Sequence, residues 1–504
     1  MKEKFDKIIN SRVGVLADKF CNSIWYIVAI GVVCMISHTF DIVIFGAVFL
    51  TLLLVPALLF CKNSFTLAPF LMMCSFVMSE KTMPQSGYYN SPAKIAVLCI
   101  LLVFIVAALV INLVYYGKWK RIFKRGYLTI SIAIMSGLLI IGGLGTPTFS
   151  LGGVGMSLAI ALCTFLPYSL LINCGEYEGD KTIEYFAYAL MAASVVIGEA
   201  VFVKYARAGF DITFATKLTL QLGYAISNTA AAIVVLAIPF TFYFVYKHKL
   251  GYLFLLLVAL ELGIIFATMS RATLMVAVPG TVIVAIALCF KKKVGRMGYY
   301  IAFGIAAAAA LALVIMFWDK IYGEISSLFA SNGPKDSGRF RLWKYGYNAW
   351  KQKPVFGVGL WYLVINKYRM PNPYYSFHCT PLTYLYCAGI FGLLGYLYHR
   401  YVTVRIVFKE KLTTERVFVA LAVLAMIANA LLDIAMTMPP HLLYYSMMLA
   451  LIECDVKKMS AERAATTVVP TDSESSAVEN SAEAIGSETV TPAEDNIPTT
   501  ETIS

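Results

Sequence analysis

Residues 93–125 read AKIAVLCILLVFIVAALVINLVYYGKWKRIFKR. No charge falls between Lys94 and Lys118, and then five basic residues follow within eight positions: Lys118, Lys120, Arg121, Lys124 and Arg125. About 20 apolar residues are needed to cross the hydrocarbon of a bilayer as a helix. Lys and Arg accumulate in loops on the cytoplasmic side. The stretch therefore reads as a transmembrane helix closed by a cytoplasmic basic loop.

The same pattern recurs along the chain. Fourteen apolar segments fall between residues 22 and 454, the third (65–79) and the last (439–454) being short. The expected fold is an all-α polytopic membrane bundle of about 12–14 transmembrane helices. Composition agrees: 60% of the 504 residues are hydrophobic and 14% are charged, where soluble domains run about half apolar and a quarter charged. That excludes a soluble enzyme, a disordered chain and a secreted disulfide scaffold. The 11 cysteines include no C-x-x-C pair, and most lie in apolar runs, where a thiol acts as a small hydrophobe. Neither a zinc site nor a disulfide framework is expected.

Charge gives the orientation. With the N-terminus inside and the segments alternating, 26 basic residues fall on inner segments and six on short outer ones. This bias places both termini in the cytoplasm. The N-terminal charges are too spread for a signal peptide, so residues 1–463 read as one membrane domain that keeps its N-terminus. Residues 464–504 carry eight acids, no Lys or Arg and no aromatic residue. They read as a disordered acidic cytoplasmic tail.

The remaining nine basic residues lie in one long outer loop, 319–378, against three acids. A loop of that length is functional or disordered, and Trp343, Trp350 and Trp361 mark this one as ordered. Its net charge of +6 suits anionic lipid headgroups or an anionic substrate such as a pyrophosphate. Asp336 and Ser337 read as caps of a helix over 339–353, which gives the loop a partly helical structure. Phe340, Trp343, Tyr347 and Trp350 recur at spacings of three and four, forming one aromatic face. Arg339 then sits in the first turn, where the helix dipole disfavours a cation unless an anion binds there.

Three outer-side features stand together. One is Ser270-Arg271, at a tight turn. The second is Gly338-Arg339-Phe340-Arg341-Leu342-Trp343, followed by Lys353-Pro354-Val355-Phe356-Gly357-Val358-Gly359. The third is Phe377-His378-Cys379-Thr380-Pro381-Leu382, followed by Gly389-Ile390-Phe391-Gly392-Leu393. In this order they resemble the O-antigen ligase and O-antigen polymerase family of bacterial membrane glycosyltransferases. That family's pattern is S-R, then G-R with a following W, P-x-x-G-x-G, H-N-x-x-L and G-x-x-G-L. The resemblance covers roughly residues 255–400. The chain departs from it at Cys379, where the family has Asn.

The resemblance implies metal-independent transfer of a glycan from an undecaprenyl-pyrophosphate carrier to a sugar hydroxyl, at the outer face of the bacterial inner (cytoplasmic) membrane. No cofactor or nucleotide sugar is implied. The implied partners are the lipid-linked donor, a saccharide acceptor and membrane lipids, with a chain-length regulator and a flippase beside them and no nucleic acid. Arg271 and Arg339 match the family's arginines and would clamp the pyrophosphate, since guanidinium is planar, always charged and bidentate. His378 would take the acceptor proton; His441, also near the outer face, is its rival. Arg341 joins the substrate site or only meets lipid headgroups, and Trp343 joins the substrate site. Glu261 lies ten residues before Arg271, about 15 Å deeper on the same helix. It is a candidate for the lipid-carrier groove, as intramembrane acids are functional by default. Glu199 and Asp433 also lie in apolar runs, and acids so placed are available to pair with arginines, line the lipid-carrier groove or carry protons. A transporter or flippase for a lipid-linked saccharide, or a member that binds lipid-linked glycan without reacting, are the other readings.

Overall fold

The computed structural model describes residues 2–82, 87–210, 221–222, 225–316, 318–319, 322, 339–365 and 377–467. These are almost entirely helical. Lipid offers no hydrogen bonds, so a spanning backbone must satisfy its own polar groups, and a helix does this within one segment. The helices are α1 (Lys2–Ile9), α2 (Arg12–Cys21), α3 (Ile24–Thr39), α4 (Val43–Phe60), α5 (Ala68–Met73), α6 (Pro92–Tyr115), α7 (Thr129–Ile140), α8 (Leu151–Cys174) and α9 (Asp180–Arg207). After a two-residue antiparallel pairing of Gln221–Leu222 with Ala225–Ile226 come α10 (Ser227–Lys247), α11 (Leu255–Ala267), α12 (Arg271–Lys291) and α13 (Arg296–Met316). The outer loop holds α14 (Arg339–Gln352) and α15 (Tyr362–Ile365), and α16 (Thr380–Val407), α17 (Thr414–Leu432) and α18 (Pro439–Thr467) complete the described chain.

Each of the fourteen apolar segments overlaps a helix or a run of short helices. Among the described residues, eight helices are long and apolar enough to cross a membrane, and the bent pair α2–α3, taken as one span, makes a ninth. Three further apolar stretches, Ser64–Val77, Thr129–Ile140 and Gly251–Ala267, are shorter. The protein is therefore an all-α polytopic membrane bundle, with fewer full-length spans than apolar segments.

Residues 2–456 form one compact unit, and the described residues that follow belong to a second. In the first, α10 is the central helix, buried along nearly its whole length and packed against α9, α11, α12 and α17. At the other extreme α6 buries little and leaves Leu102, Val103 and Phe104 more than half exposed. Apolar side chains there face lipid, which costs nothing. Within the second unit the helix continues through Thr467; residues 468–504, most of the expected tail, lie outside the described residues.

α14 occupies the position expected of it, though the proposed caps Asp336 and Ser337 lie outside the described residues. Its buried stripe is not the aromatic face but Leu342, Gly346 and Ala349; Phe340 stays 61% exposed. The stripe packs with Leu360, Leu363, Phe377 and Tyr386 in a second, smaller core.

The apolar segment expected over 380–398 is longer and is broken. Gly389 has φ 71° and ψ −164° inside α16. The Tyr384 and Tyr396 ring centroids are 5.1 Å apart, whereas twelve residues of straight helix rise about 18 Å. Residues 380–388 therefore fold back on the helix that follows. The segment 354–359 fastens this reversal: Ile390 N–H donates to the Pro354 carbonyl, and Val358 and Gly359 N–H donate to the Tyr386 and Cys387 carbonyls, all at 2.9 Å. A Cβ on Gly389 would lie 2.0 Å from the Val355 oxygen, and one on Gly357 (φ 67°) would lie 2.4 Å from the Tyr386 oxygen. Both positions require glycine for its positive φ and for the close backbone approach.

Candidate active site

α17 ends at Asp433, whose backbone leaves the helix in an extended conformation. The residue is 4% exposed. A buried carboxylate needs charge and hydrogen-bond partners, and Asp433 has both. Oδ1 lies 2.9 Å from His378 Nδ1 and accepts the Ile434 N–H at 2.8 Å. Oδ2 pairs with Arg339 Nη2 at 3.3 Å. Burial works to raise the Asp433 carboxyl, but the His378 hydrogen bond and the charges of His378 and Arg339 hold it below the usual carboxylate value.

Arg339 opens α14, and its Nη1 also donates to the Leu432 carbonyl at the C-terminal end of α17. A cation there meets the negative end of that helix's dipole. The anion that the Arg339 position calls for is thus supplied first by the chain itself.

His378 has φ +52°, a left-handed conformation uncommon outside glycine. Its neighbours fix it. Trp343 Nε1 donates to the Phe377 carbonyl at 2.7 Å. The Thr383 hydroxyl donates to the Cys379 carbonyl at 2.9 Å and receives the Phe377 N–H at 3.4 Å. Backbone strain of this kind persists where surrounding contacts over-determine it. Cys379, buried, occupies the N-cap position of α16 without a side-chain capping bond.

The structure thus joins Arg339, His378 and Trp343. Arg271 is the first residue of α12, exposed, with no hydrogen bond or ion pair among the described residues. Its neighbour links it to the cluster indirectly: Ser270 and Thr273 hydroxyls lie 3.0 Å apart, and Asn429 Nδ2 donates to Thr273 Oγ1 at 2.9 Å. Asn429 sits one turn before Asp433, whose N–H donates to its carbonyl. Arg341 points away, exposed. Glu261 is fully buried elsewhere, accepting from the Thr241 hydroxyl at 3.0 and 3.1 Å and the Ser194 hydroxyl at 3.3 Å. His441 is buried, with Nε2 2.8 Å from the Thr229 carbonyl oxygen.

This places a histidine–aspartate pair beside an arginine, where a long loop returns to the bundle. Residues 253–397, which carry Arg271, Arg339 and His378, match the family described as O-Antigen ligase. The chain carries an O-antigen ligase domain. No curated protein matches the sequence. The match supports a glycosyl-transferring role of the ligase or polymerase kind for this membrane protein.

Asp433 lies beyond the O-antigen ligase match, and the sequence marked it as an acid in an apolar run, available to pair with an arginine but with no partner named. Nothing local names its partners, which come from 55 and 94 positions away.

Proposed function

We propose that the protein transfers a glycan from an undecaprenyl-diphosphate carrier to a sugar hydroxyl at the outer face of the cytoplasmic membrane, as a surface-polysaccharide polymerase or ligase. The observation that carries this reading is Asp433 bridging His378 and Arg339. With Nδ1 held by Asp433, Nε2 of His378 is the nitrogen that takes the acceptor proton. The acceptor oxygen forms the new bond to the anomeric carbon as the bond from that carbon to the phosphate oxygen breaks. The diphosphate leaves with the electron pair, and Arg339 and Arg271 stabilise its charge. Asp433 orients the imidazole and stabilises the imidazolium, as carboxylates do in hydrolytic triads.

The basic bias of the inner segments supports cytoplasmic termini and an outward site. A flippase would then have to deliver the donor, and a chain-length regulator is an expected partner.

The test is the purified full chain in lipid nanodiscs with an undecaprenyl-diphosphate oligosaccharide, read by gel. A ladder of products marks a polymerase, and a single shift of an added acceptor marks a ligase. Equal turnover by wild type and His378→Ala would overturn the assignment, and movement of donor across vesicles without glycan transfer would favour a transporter.

A further inference from the structure

Arg400 lies in the part of α16 that the sequence placed in an inner loop. The structure leaves it half-buried, stacked against two tyrosine rings. Its guanidinium carbon is 4.7 Å from the Tyr396 centroid and 4.9 Å from the Tyr445 centroid. Nη1 donates to the Tyr445 hydroxyl at 2.5 Å, and Nη2 meets Sδ of Met436 at 3.2 Å. No carboxylate pairs with it among the described residues, and its buried Nε has no hydrogen-bond partner.

Unpaired cations within a membrane bundle are costly and mark functional positions. Two further buried polar atoms also lack partners. They are the Tyr384 hydroxyl and the Thr380 hydroxyl, on residues 1% and 0% exposed. Both sit on the folded-back segment 380–388, one turn apart, and Tyr384 stacks near Tyr396. The setting adjoins the dyad on both sides. Thr380 follows His378 by two residues, and Met436 follows Asp433 by three.

The Tyr445 hydroxyl does not neutralise the charge. It also contacts His399 Nε2 at 2.9 Å, and His399 Nδ1 is 2.9 Å from the Ser131 hydroxyl, which donates to the Leu128 carbonyl. That chain holds Arg400 in place with neutral groups and leaves its charge unbalanced. At Arg339 the balance is the opposite, because Asp433 already compensates it.

Resting on the donor assignment above, we propose that Arg400 and the Tyr384 hydroxyl form a second anion subsite of this centre, which takes a phosphate oxygen of the lipid-linked diphosphate. Arg400 provides the uncompensated charge that Arg339 lacks. Its bond to Tyr445 and its two ring contacts fix the guanidinium plane before the ligand arrives, so little entropy is lost on binding.

The test uses the full chain in nanodiscs and compares wild type with Arg400→Met. Binding is measured for undecaprenyl diphosphate, inorganic diphosphate and undecaprenol, with and without phosphatidylglycerol in the disc. Arg400→Met should weaken undecaprenyl diphosphate binding at least tenfold and leave undecaprenol binding unchanged. Its melting temperature should hold or rise, because a half-buried cation without a carboxylate partner is removed; a purely structural Arg400 would give a fall instead. Unchanged diphosphate affinity in the folded variant overturns the subsite alone. Displacement of the diphosphate by phosphatidylglycerol at equal concentration also overturns it, leaving a headgroup contact. Wild type that binds no undecaprenyl diphosphate overturns the donor assignment together with the subsite. If Arg400→Met does not fold, Tyr384→Phe replaces it, since that change removes an unpartnered hydroxyl and no packing. A several-fold loss of diphosphate affinity then supports the subsite, and wild-type affinity refutes it.

Discussion

The Asp433 carboxylate meets Nδ1 of His378 at 2.9 Å, joining the end of α17 to the residue just before α16. The same carboxylate holds Arg339 on its other oxygen. One buried acid therefore sets the position of both groups to which the chemistry is assigned.

Replacing Asp433 with Asn keeps the shape and removes the charge. The imidazole then loses the group that fixes its tautomer, and turnover should fall on the order of 10²–10⁴-fold. Steady-state kinetics should show the loss mainly in kcat, with donor KM changed less. A loss confined to KM would mean that Asp433 serves binding alone.

Arg339→Ala should abolish long-chain product while the protein still reaches the membrane at normal levels. Loss of a charge-stabilising donor costs about 10²–10³-fold in rate. Arg339 has a side chain 23% exposed, so water reaches Asp433 in the variant. The stability loss should stay below the roughly 3–5 kcal/mol seen when a fully buried pair is broken. Gel profiles of polysaccharide and a membrane blot check both points.

Asp433 titrates below the usual carboxylate value when folded. Its stabilising effect is complete above the unfolded carboxyl value of about 3.9 and is lost as pH falls through the lower folded value. Thermal melts of wild type and Asp433→Asn should therefore differ clearly at about pH 5, and the difference should shrink as pH falls below about 4. Convergence already near neutrality would contradict the ion-paired carboxylate.

Gly389→Ala should disturb the site from a distance. Its Cβ would meet the Val355 carbonyl at 2.0 Å, at a φ that alanine avoids. The strain is about 1–3 kcal/mol, and relief requires the return at 389 to open, which moves His378. A lowered melting temperature with reduced turnover is expected; wild-type values for both would refute the fold-back as a positioning device.

Deleting 468–504 should leave membrane insertion and turnover unchanged, since the acidic, aromatic-free composition provides no surface for packing. A truncated protein that inserts normally but has lost activity would show that the tail contributes to function.

Much of this was legible in sequence because lipid is a demanding solvent. Apolar run length fixed where helices fall, and Arg339, His378 and Trp343 were recognisable from the ordered motifs. Arg400 was not, since its charge looked like the end of a span; the tyrosines at 396 and 445 stack on its guanidinium instead. Asp433 carried no motif, because its meaning lies in partners distant in sequence. The aromatic spacing of α14 suggested a packing face, yet the small residues Gly346 and Ala349 allow the closer approach and so form the buried stripe.

The sequence alone determined that this is an all-α membrane protein with an O-antigen ligase region and a basic returning loop, because hydrophobic length and short motifs are local properties. Tertiary structure decided that Asp433 joins His378 to Arg339, that α16 reverses at Gly389, and that Arg271 stays exposed while Arg400 stacks on two tyrosine rings. Those outcomes depend on which helix ends meet across the bundle, and the costs of buried charge and backbone crowding that select them arise only once the helices are packed.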